Sequence, residues 1–321
     1  MRNIAVVDDF LTPAHCDTIR AAAAEAGFAV DFYPDRHLPA GREGDYEILF
    51  GRCAHETIRS ATGLKWFCCS FAGVDDLLAD DIYPHPDVLL TNSSGAYGLT
   101  IAEHTVMVLL MMLRRMPEFE AFVREKHWQR ELPMRSIYGA SVTMLGTGDI
   151  GTNIARRMKG MGAKTVRGVR RTQRSADPAF DEIYTYDHLD ELLPTAEILI
   201  MAMPSTPETI GILSRERIAL LPENALVINV GRGTAVDQEA LIEALEQGRI
   251  AGAALDVVNP EPPEADSPLW HTKNLLLTPH TSGNMSLGRT RDLIVENFCA
   301  DLRRYAAGEP LKHLVDRRQG Y

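Results

Sequence analysis

Arg232, Glu261 and His280 stand 29 and 19 positions apart, and each follows a β-forming run: "LVINVGR", "GAALDVVNPEPPE" and "LLLTPH". An arginine offers a planar fork of donors that grips a carboxylate. A histidine can give up a proton near neutral pH. A carboxylate can accept a hydrogen bond from the far imidazole nitrogen, fixing its tautomer and favouring the protonated ring. Beside a nicotinamide these groups suit the interconversion of a 2-keto and a 2-hydroxy acid. Arg232 would hold the substrate carboxylate and polarise the ketone, His280 would protonate its oxygen, and Glu261 would orient His280. Singly, each has an ordinary explanation as a structural histidine or a polar loop. The reading depends on a nucleotide fold around them.

That fold is announced by "MLGTGDIG". Gly146 allows a tight turn after a strand, Gly148 lets the backbone approach a pyrophosphate, and Gly151 lets helix and strand pack closely. Thr147, Asp149 and Ile150 complete the loop and first helical turn, where free N–H groups and the helix dipole attract an anion. About 20 residues on, such folds usually carry an acidic residue for the ribose 2′-hydroxyl of NAD. Here the positions hold Arg170, Arg171 and Thr172 in "VRGVRRT", and no acidic residue lies between Lys164 and Ser175. Arginine cannot accept from a hydroxyl, but it can bind a 2′-phosphate. The expected cofactor is NADP (NADPH), with NAD as the alternative if the arginines are merely solvated. Arg167 should point to the other side of the strand.

These residues need elements to hold them. The first hundred residues alternate strand and helix: "NIAVVDD", then "TPAHCDTIRAAAAEAG" with Thr12 to cap, Pro13 in the first turn and Gly27 to stop it, then "AVDFYP", "YEILFG", "HETIRSATG", "KWFCCSF" and "DVLLTNS". After a long helix from Thr100 to about Arg115 the rhythm resumes with six strands ending in "LLLTPH". A final helix, from about Met285 to Ala307, leads to "LVDRRQGY", which should pack back on the first domain. The fold class predicted is α/β, two doubly wound parallel-sheet (Rossmann-like) domains. Residues 1–99 and 285–321 would form a flavodoxin-like substrate domain, and residues 100–284 the dinucleotide-binding domain inserted into it.

Composition narrows the function. There are 44 Asp and Glu against 33 Lys and Arg, a net charge of −11, which argues against nucleic acid as partner. The longest apolar run, residues 106–113, is far short of the ~20 residues a membrane span needs. The N-terminus lacks a signal-peptide pattern. Five cysteines without a CxxC spacing suggest reduced thiols in the cytoplasm, with no metal site.

"LGTGDIG", "LVINVGRGTAVDQEAL", "GAALDVVNPEPPEADSPLW" and "LLLTPHTSG" resemble the successive motifs of the D-isomer-specific 2-hydroxyacid dehydrogenases. "SFAGVDDL", "IAEHTVMVLL" and "VDRRQGY" extend the resemblance over most of the chain. It implies two Rossmann-like domains with the active site in their cleft, and a homodimer formed through the nucleotide domains. The family's Arg, Glu and His map onto Arg232, Glu261 and His280. Backbone amides at Ala72 and Gly73 would bind the substrate carboxylate, Asp256 would contact the nicotinamide carboxamide, and Met203 and Pro204 would pack on the adenosine. Val230 and Gly231 are also expected at the cofactor. The departure at "GVRRT" puts NAD in question and leaves the chemistry unchanged. Arg52 reads as a surface arginine, and His104, in an apolar helix, as structural. An NAD-linked dehydrogenase, a formate-dehydrogenase-like enzyme, disfavoured by the acidic Glu261, and a dinucleotide-sensing corepressor are the competing readings.

Overall fold

The computed structural model describes residues 2–173 and 177–320. The chain divides into two compact units, Met1–Tyr97 with Met285–Tyr321, and Gly98–Asn284.

In the first unit, β1 (Arg2–Val7), α1 (Pro13–Glu25), β2 (Phe28–Phe32), β3 (Ile48–Gly51), α2 (His55–Ser60), β4 (Trp66–Cys69) and β5 (Leu89–Thr91) give a parallel sheet ordered β2-β1-β3-β4-β5. Its inner strands β3 and β4 are buried at every residue, as strands covered on both faces must be. Thr12 caps α1: its hydroxyl accepts from the His15 amide at 3.3 Å, while His15 Nδ1 accepts from the Thr12 amide at 3.2 Å. Histidine thus fills the place that glutamate usually takes in a capping box. Gly27, at φ +76°, ends the helix.

The second unit contains α3 (Gly98–Leu113), α4 (Met116–Arg124), β6 (Ser141–Leu145), α5 (Asp149–Gly160), β7 (Thr165–Arg170), β8 (Glu182–Thr185), α6 (Leu189–Leu192), β9 (Ile198–Met201), α7 (Arg215–Leu220), β10 (Leu226–Asn229), α8 (Gln238–Glu246), β11 (Gly252–Leu255) and β12 (Leu275–Leu277). Its sheet runs β12-β11-β10-β9-β6-β7-β8, a doubly wound order that reverses between β6 and β9. Two expectations are corrected. The sheet has seven strands where six were expected, because Glu182–Thr185 pairs with Arg167–Arg170 along the edge. Four mixed residues have no apolar run to announce them, and their neighbour makes them a strand. The long helix begins at Gly98 and stops at Leu113, since Arg115 takes φ +57° and starts α4 at a new angle.

The chain then returns to the first unit through α9 (Gly288–Ala307). Phe298 stacks on Phe50 at 4.1 Å between ring centroids and on Trp66 at 5.6 Å. The closing segment packs on this unit, as its sequence leads one to expect: the Val315 amide donates to Leu90 O at 2.9 Å, and buried Asp301 accepts from the Lys312 and His313 amides and pairs with His313 Nδ1. Among the described residues no helix is long and apolar enough to cross a membrane.

Candidate active site

One row of the seven-stranded sheet sets the site. Val169, Leu145, Met201, Asn229, Leu255 and Leu277 are successive register partners across β7, β6, β9, β10, β11 and β12. These strands are parallel, so each leaves the sheet at the same edge, where open α/β sheets bind ligands. Within three residues past the row come Arg170, Gly146, Met203, Arg232, Asp256 and His280.

The loop after β6 is made by backbone contact. Gly146 sits at φ +97° with its amide on Val169 O at 2.9 Å, and a Cβ there would meet Ala202 O at 2.5 Å. A Cβ on Gly151 would land on the Gly146 carbonyl oxygen, so only glycine lets α5 pack against its own loop. Gly148 differs, since a Cβ there would meet nothing within 4 Å. The open space lies beside the first amides of α5, at Asp149, Ile150 and Gly151, which no helical carbonyl can satisfy. The Thr147 hydroxyl is buried and has no partner among the described residues. The Asp149 carboxylate turns to α3, accepting from the Gly98 amide and from Asn153 Nδ2 at 3.0 Å, and burial pushes its pKa up.

Arg170 closes β7 opposite Thr185, with Arg171 and the exposed Thr172 just beyond. Glu208, across from them, lies below the usual carboxylate range through its own amide and the Thr206 hydroxyl, with a smaller contribution from the Arg171 charge. Arg167 faces away, donating to Thr195 Oγ1 at 2.8 Å and lying 3.6 Å from Glu182. Met203, expected against the adenosine, is 2% exposed and packs in the apolar core. The half-buried Pro204 is the outward part of that segment. Buried Val230 and Gly231 abut it, and a Cβ on Gly231 would meet Met203 O at 2.8 Å.

At the other end of the row, His280 Nδ1 and Glu261 Oε1 are 2.6 Å apart, with side chains 48% and 40% exposed. A carboxylate only accepts, so Nδ1 carries the proton of this contact. His280 has φ +48°, a left-handed conformation costing about 1–2 kcal/mol for a residue with a side chain. Asp256 holds it there. Its carbonyl accepts from the His280 amide at 2.8 Å, and its carboxylate accepts from the Thr281 and Ser282 amides at 2.9 and 3.0 Å and from Thr278 Oγ1 at 2.6 Å. Burial alone would raise the Asp256 pKa, but hydrogen bonds from Ser282, Thr278 and Thr281 hold it below the usual range. This carboxylate, expected at the carboxamide, is 1% exposed.

Arg232 donates to Gly231 O at 2.8 Å. Its turn is braced by Asn229, a residue the sequence reading passed over. Asn229 is fully buried, donates to Arg232 O at 2.9 Å and accepts from the Gly231 amide at 3.0 Å. An asparagine ending an apolar strand was the available signal. A Cβ on Gly233 would collide with Val258 O, so the turn lies directly against the segment after β11.

The remaining candidates belong to the first unit. Ala72 and Gly73 follow β4, and Ala72 O accepts from Asn92 Nδ2 at 2.7 Å. Arg52 follows β3 and lies over the Phe71 ring, 5.0 Å from its centroid. Burial pushes the Cys53 and Cys69 thiols to about 12, which leaves them no use as nucleophiles at neutral pH. Among the described residues no group of three or more His, Cys, Asp or Glu could hold a metal ion.

A doubly wound nucleotide unit with a histidine–carboxylate pair and an arginine at its strand ends defines a dehydrogenase of 2-hydroxy acids. Residues 106–282 match "D-isomer specific 2-hydroxyacid dehydrogenase, NAD binding domain", and the chain belongs to that NAD(P)-dependent oxidoreductase family. It is 30% identical over 293 residues to glyoxylate/hydroxypyruvate reductase A of Escherichia fergusonii, covering 89% of each chain. It is similar to a D-isomer specific 2-hydroxyacid dehydrogenase from Xanthobacter autotrophicus Py2, solved with NADPH and MES, with TM-score 0.84, 32% identity and coverage of 100% and 99% of the two chains. It is also similar to the NADPH-dependent glyoxylate/hydroxypyruvate reductase of Sinorhizobium meliloti, solved with NADP and sulfate, with TM-score 0.82, 29% identity and 100% of both chains covered. The chain spans about half (52%) of a D-3-phosphoglycerate dehydrogenase of Methanocaldococcus jannaschii, to which it is 30% identical over 84% of its own length.

Proposed function

We propose that the protein reduces a small 2-keto acid to the D-2-hydroxy acid and prefers NADPH to NADH. The observation that carries this reading is the 2.6 Å contact of His280 Nδ1 with Glu261 Oε1, on the sheet edge that also bears the glycine loop. The loop suits a pyrophosphate: open space at Gly148, amides at Thr147 to Gly151, and the buried Thr147 hydroxyl still lacking an acceptor. Arg170 and Arg171 would hold a 2′-phosphate, and Pro204, Val230 and Gly231 would lie along the nucleoside. When bound, the reduced nicotinamide supplies the hydride.

The chain's own groups do the rest. Arg232 grips the carboxylate of the keto acid and polarises its ketone. His280 gives its Nε2 proton to the ketone oxygen as that oxygen gains charge. Glu261 keeps Nδ1 protonated and the ring in place. The reductases from E. fergusonii and S. meliloti, named for glyoxylate and hydroxypyruvate, favour a substrate of that size. The test is a screen of glyoxylate, hydroxypyruvate, pyruvate and bulkier 2-keto acids against both NADPH and NADH. Turnover with none of them while cofactor binds tightly would mark a sensor, and faster turnover with NADH would reject the arginine assignment.

Two further parts of the reading concern its setting. The protein works as a homodimer through its second unit, supported by exposed apolar side chains on and around α3 and α4, among them Met107, Met116, Val123 and Met134. Sedimentation of the Met107→Glu, Met116→Glu variant as a monomer against a wild-type dimer would support it; a wild-type monomer would refute it. It works in the cytoplasm, supported by five free cysteines, and cell fractionation tests this.

A further inference from the structure

We propose that His104 is a positioning residue for the reaction: through Thr278 and Asp256 it sets the loop that carries His280. His104 Nε2 lies 3.1 Å from Thr278 Oγ1, and Thr278 Oγ1 lies 2.6 Å from Asp256 Oδ1. Thr278 has one hydroxyl proton. An ionised carboxylate has none to offer, so that proton goes to Asp256, and Thr278 must accept at its other contact. His104 Nε2 is therefore the donor. The order of donation is fixed from α3 to the carboxylate, and only a donor at position 104 completes it.

What hangs on that carboxylate is the acid loop. The amides of three consecutive residues, His280, Thr281 and Ser282, all end on Asp256, the first on its carbonyl and the others on its two carboxylate oxygens. Asp256 can hold this fan of amides in only one rotation of its side chain, and Thr278 fixes that rotation. The Asp256 end of the relay is buried, with its side chain 1% exposed, and the His104 side chain is 10% exposed. Burial lowers the His104 pKa more than the nearby Asp256 charge raises it, which keeps the ring a neutral Nε2–H donor. An imidazole in an apolar helix thus acts through two other side chains on a histidine 176 positions further along.

The inference rests on His280 being the acid. Steady-state reduction of glyoxylate by NADPH is measured for His104→Leu, His104→Gln, Thr278→Val, Thr278→Ser and His280→Ala, with thermal unfolding of each. Losing the donor displaces His280 slightly, so His104→Leu and Thr278→Val should each lower kcat on the order of ten- to a hundred-fold with KM for NADPH little changed. Gln places an amide N–H near the lost Nε2–H, and Ser restores the hydroxyl, so both should recover most of kcat. The double variant His104→Leu, Thr278→Val should be no slower than the worse single. If His104→Leu does not fold, the Thr278 pair decides alone. Wild-type kcat in the Leu and Val variants while His280→Ala is crippled overturns this inference and spares the reading of His280. Equal losses in Gln and Leu, or in Ser and Val, also overturn it, since packing and not donation would then matter. Full turnover by His280→Ala removes the acid itself.

Discussion

The loop after β6 is shaped from within. Gly146 and Gly151 touch backbone to backbone, and side chains matter there chiefly by their absence. The loop after β12 is shaped from outside, by Asp256, just past the neighbouring strand, collecting its amides. The turn at Arg232 follows the second plan, with Asn229 as its brace. The difference fits the work proposed for each loop. A phosphate presents oxygens to many donors and is held by any loop that exposes its amides. A proton donor must be aimed to within a fraction of an ångström, and aim requires buried polar groups with fixed partners.

The comparison can be broken at several places. The largest effect is expected from Gly151→Ala, whose methyl would drive α5 off its loop; NADPH binding followed by fluorescence should be lost, and normal binding would show that the loop can yield. His280→Ala should come next, lowering kcat by at least ~10²-fold while the NADPH dissociation constant stays near wild type; a matching loss of binding would mean that the two loops are not independent. Arg170→Ala with Arg171→Ala should weaken NADPH roughly ten- to a hundred-fold per good contact and leave NADH little changed. Cofactor titrations at one ionic strength decide it, because salt screens exposed charges.

Asn229→Ala strands a buried amide and a buried carbonyl, and should cost about 1–3 kcal/mol in urea unfolding, with a fall in kcat that no glycine-loop substitution of equal stability reproduces. The smallest effects separate the two carboxylates by sign. Asp149 has its pKa raised by burial, so its stabilising contribution is complete in acid and is lost as pH rises through the folded value. Asp256 is held below the usual range, so its contribution is complete above the ordinary carboxylate pKa and is lost as pH falls through the lower folded value. At pH 7, Asp256→Asn should therefore destabilise and Asp149→Asn should not. Both differences should shrink as unfolding is repeated toward about pH 3, and same-sign shifts at pH 7 would remove the contrast.

Much of this was legible because it depends on residue type at short range. The glycine spacing, the strand runs and the three polar residues at strand ends are local patterns, and the arginines of "VRGVRRT" stand out against an acidic chain. What escaped depends on partners far away in sequence. The edge strand at Glu182–Thr185 is a strand only because β7 lies beside it. The burial of Met203 is set by the core that packs around it. His104 in an apolar helix reads as a packed residue, since its partner Thr278 lies 174 positions on. Asp256 was selected as a cofactor contact, while no pattern in "GAALDVV" reveals the three amides that arrive from beyond residue 279.

The return of α9 to the first unit has a consequence for how the protein is made. Phe50 and Trp66 are synthesised early, and the ring that stacks on both belongs to Phe298. At roughly 5–20 residues per second, those two aromatics wait about 12 to 50 seconds for their partner to be synthesised. The second unit is continuous in sequence and can close in that interval. The expected order of maturation on the ribosome is therefore the reverse of the order of synthesis: the second unit can finish first, while the first unit waits for its last helix.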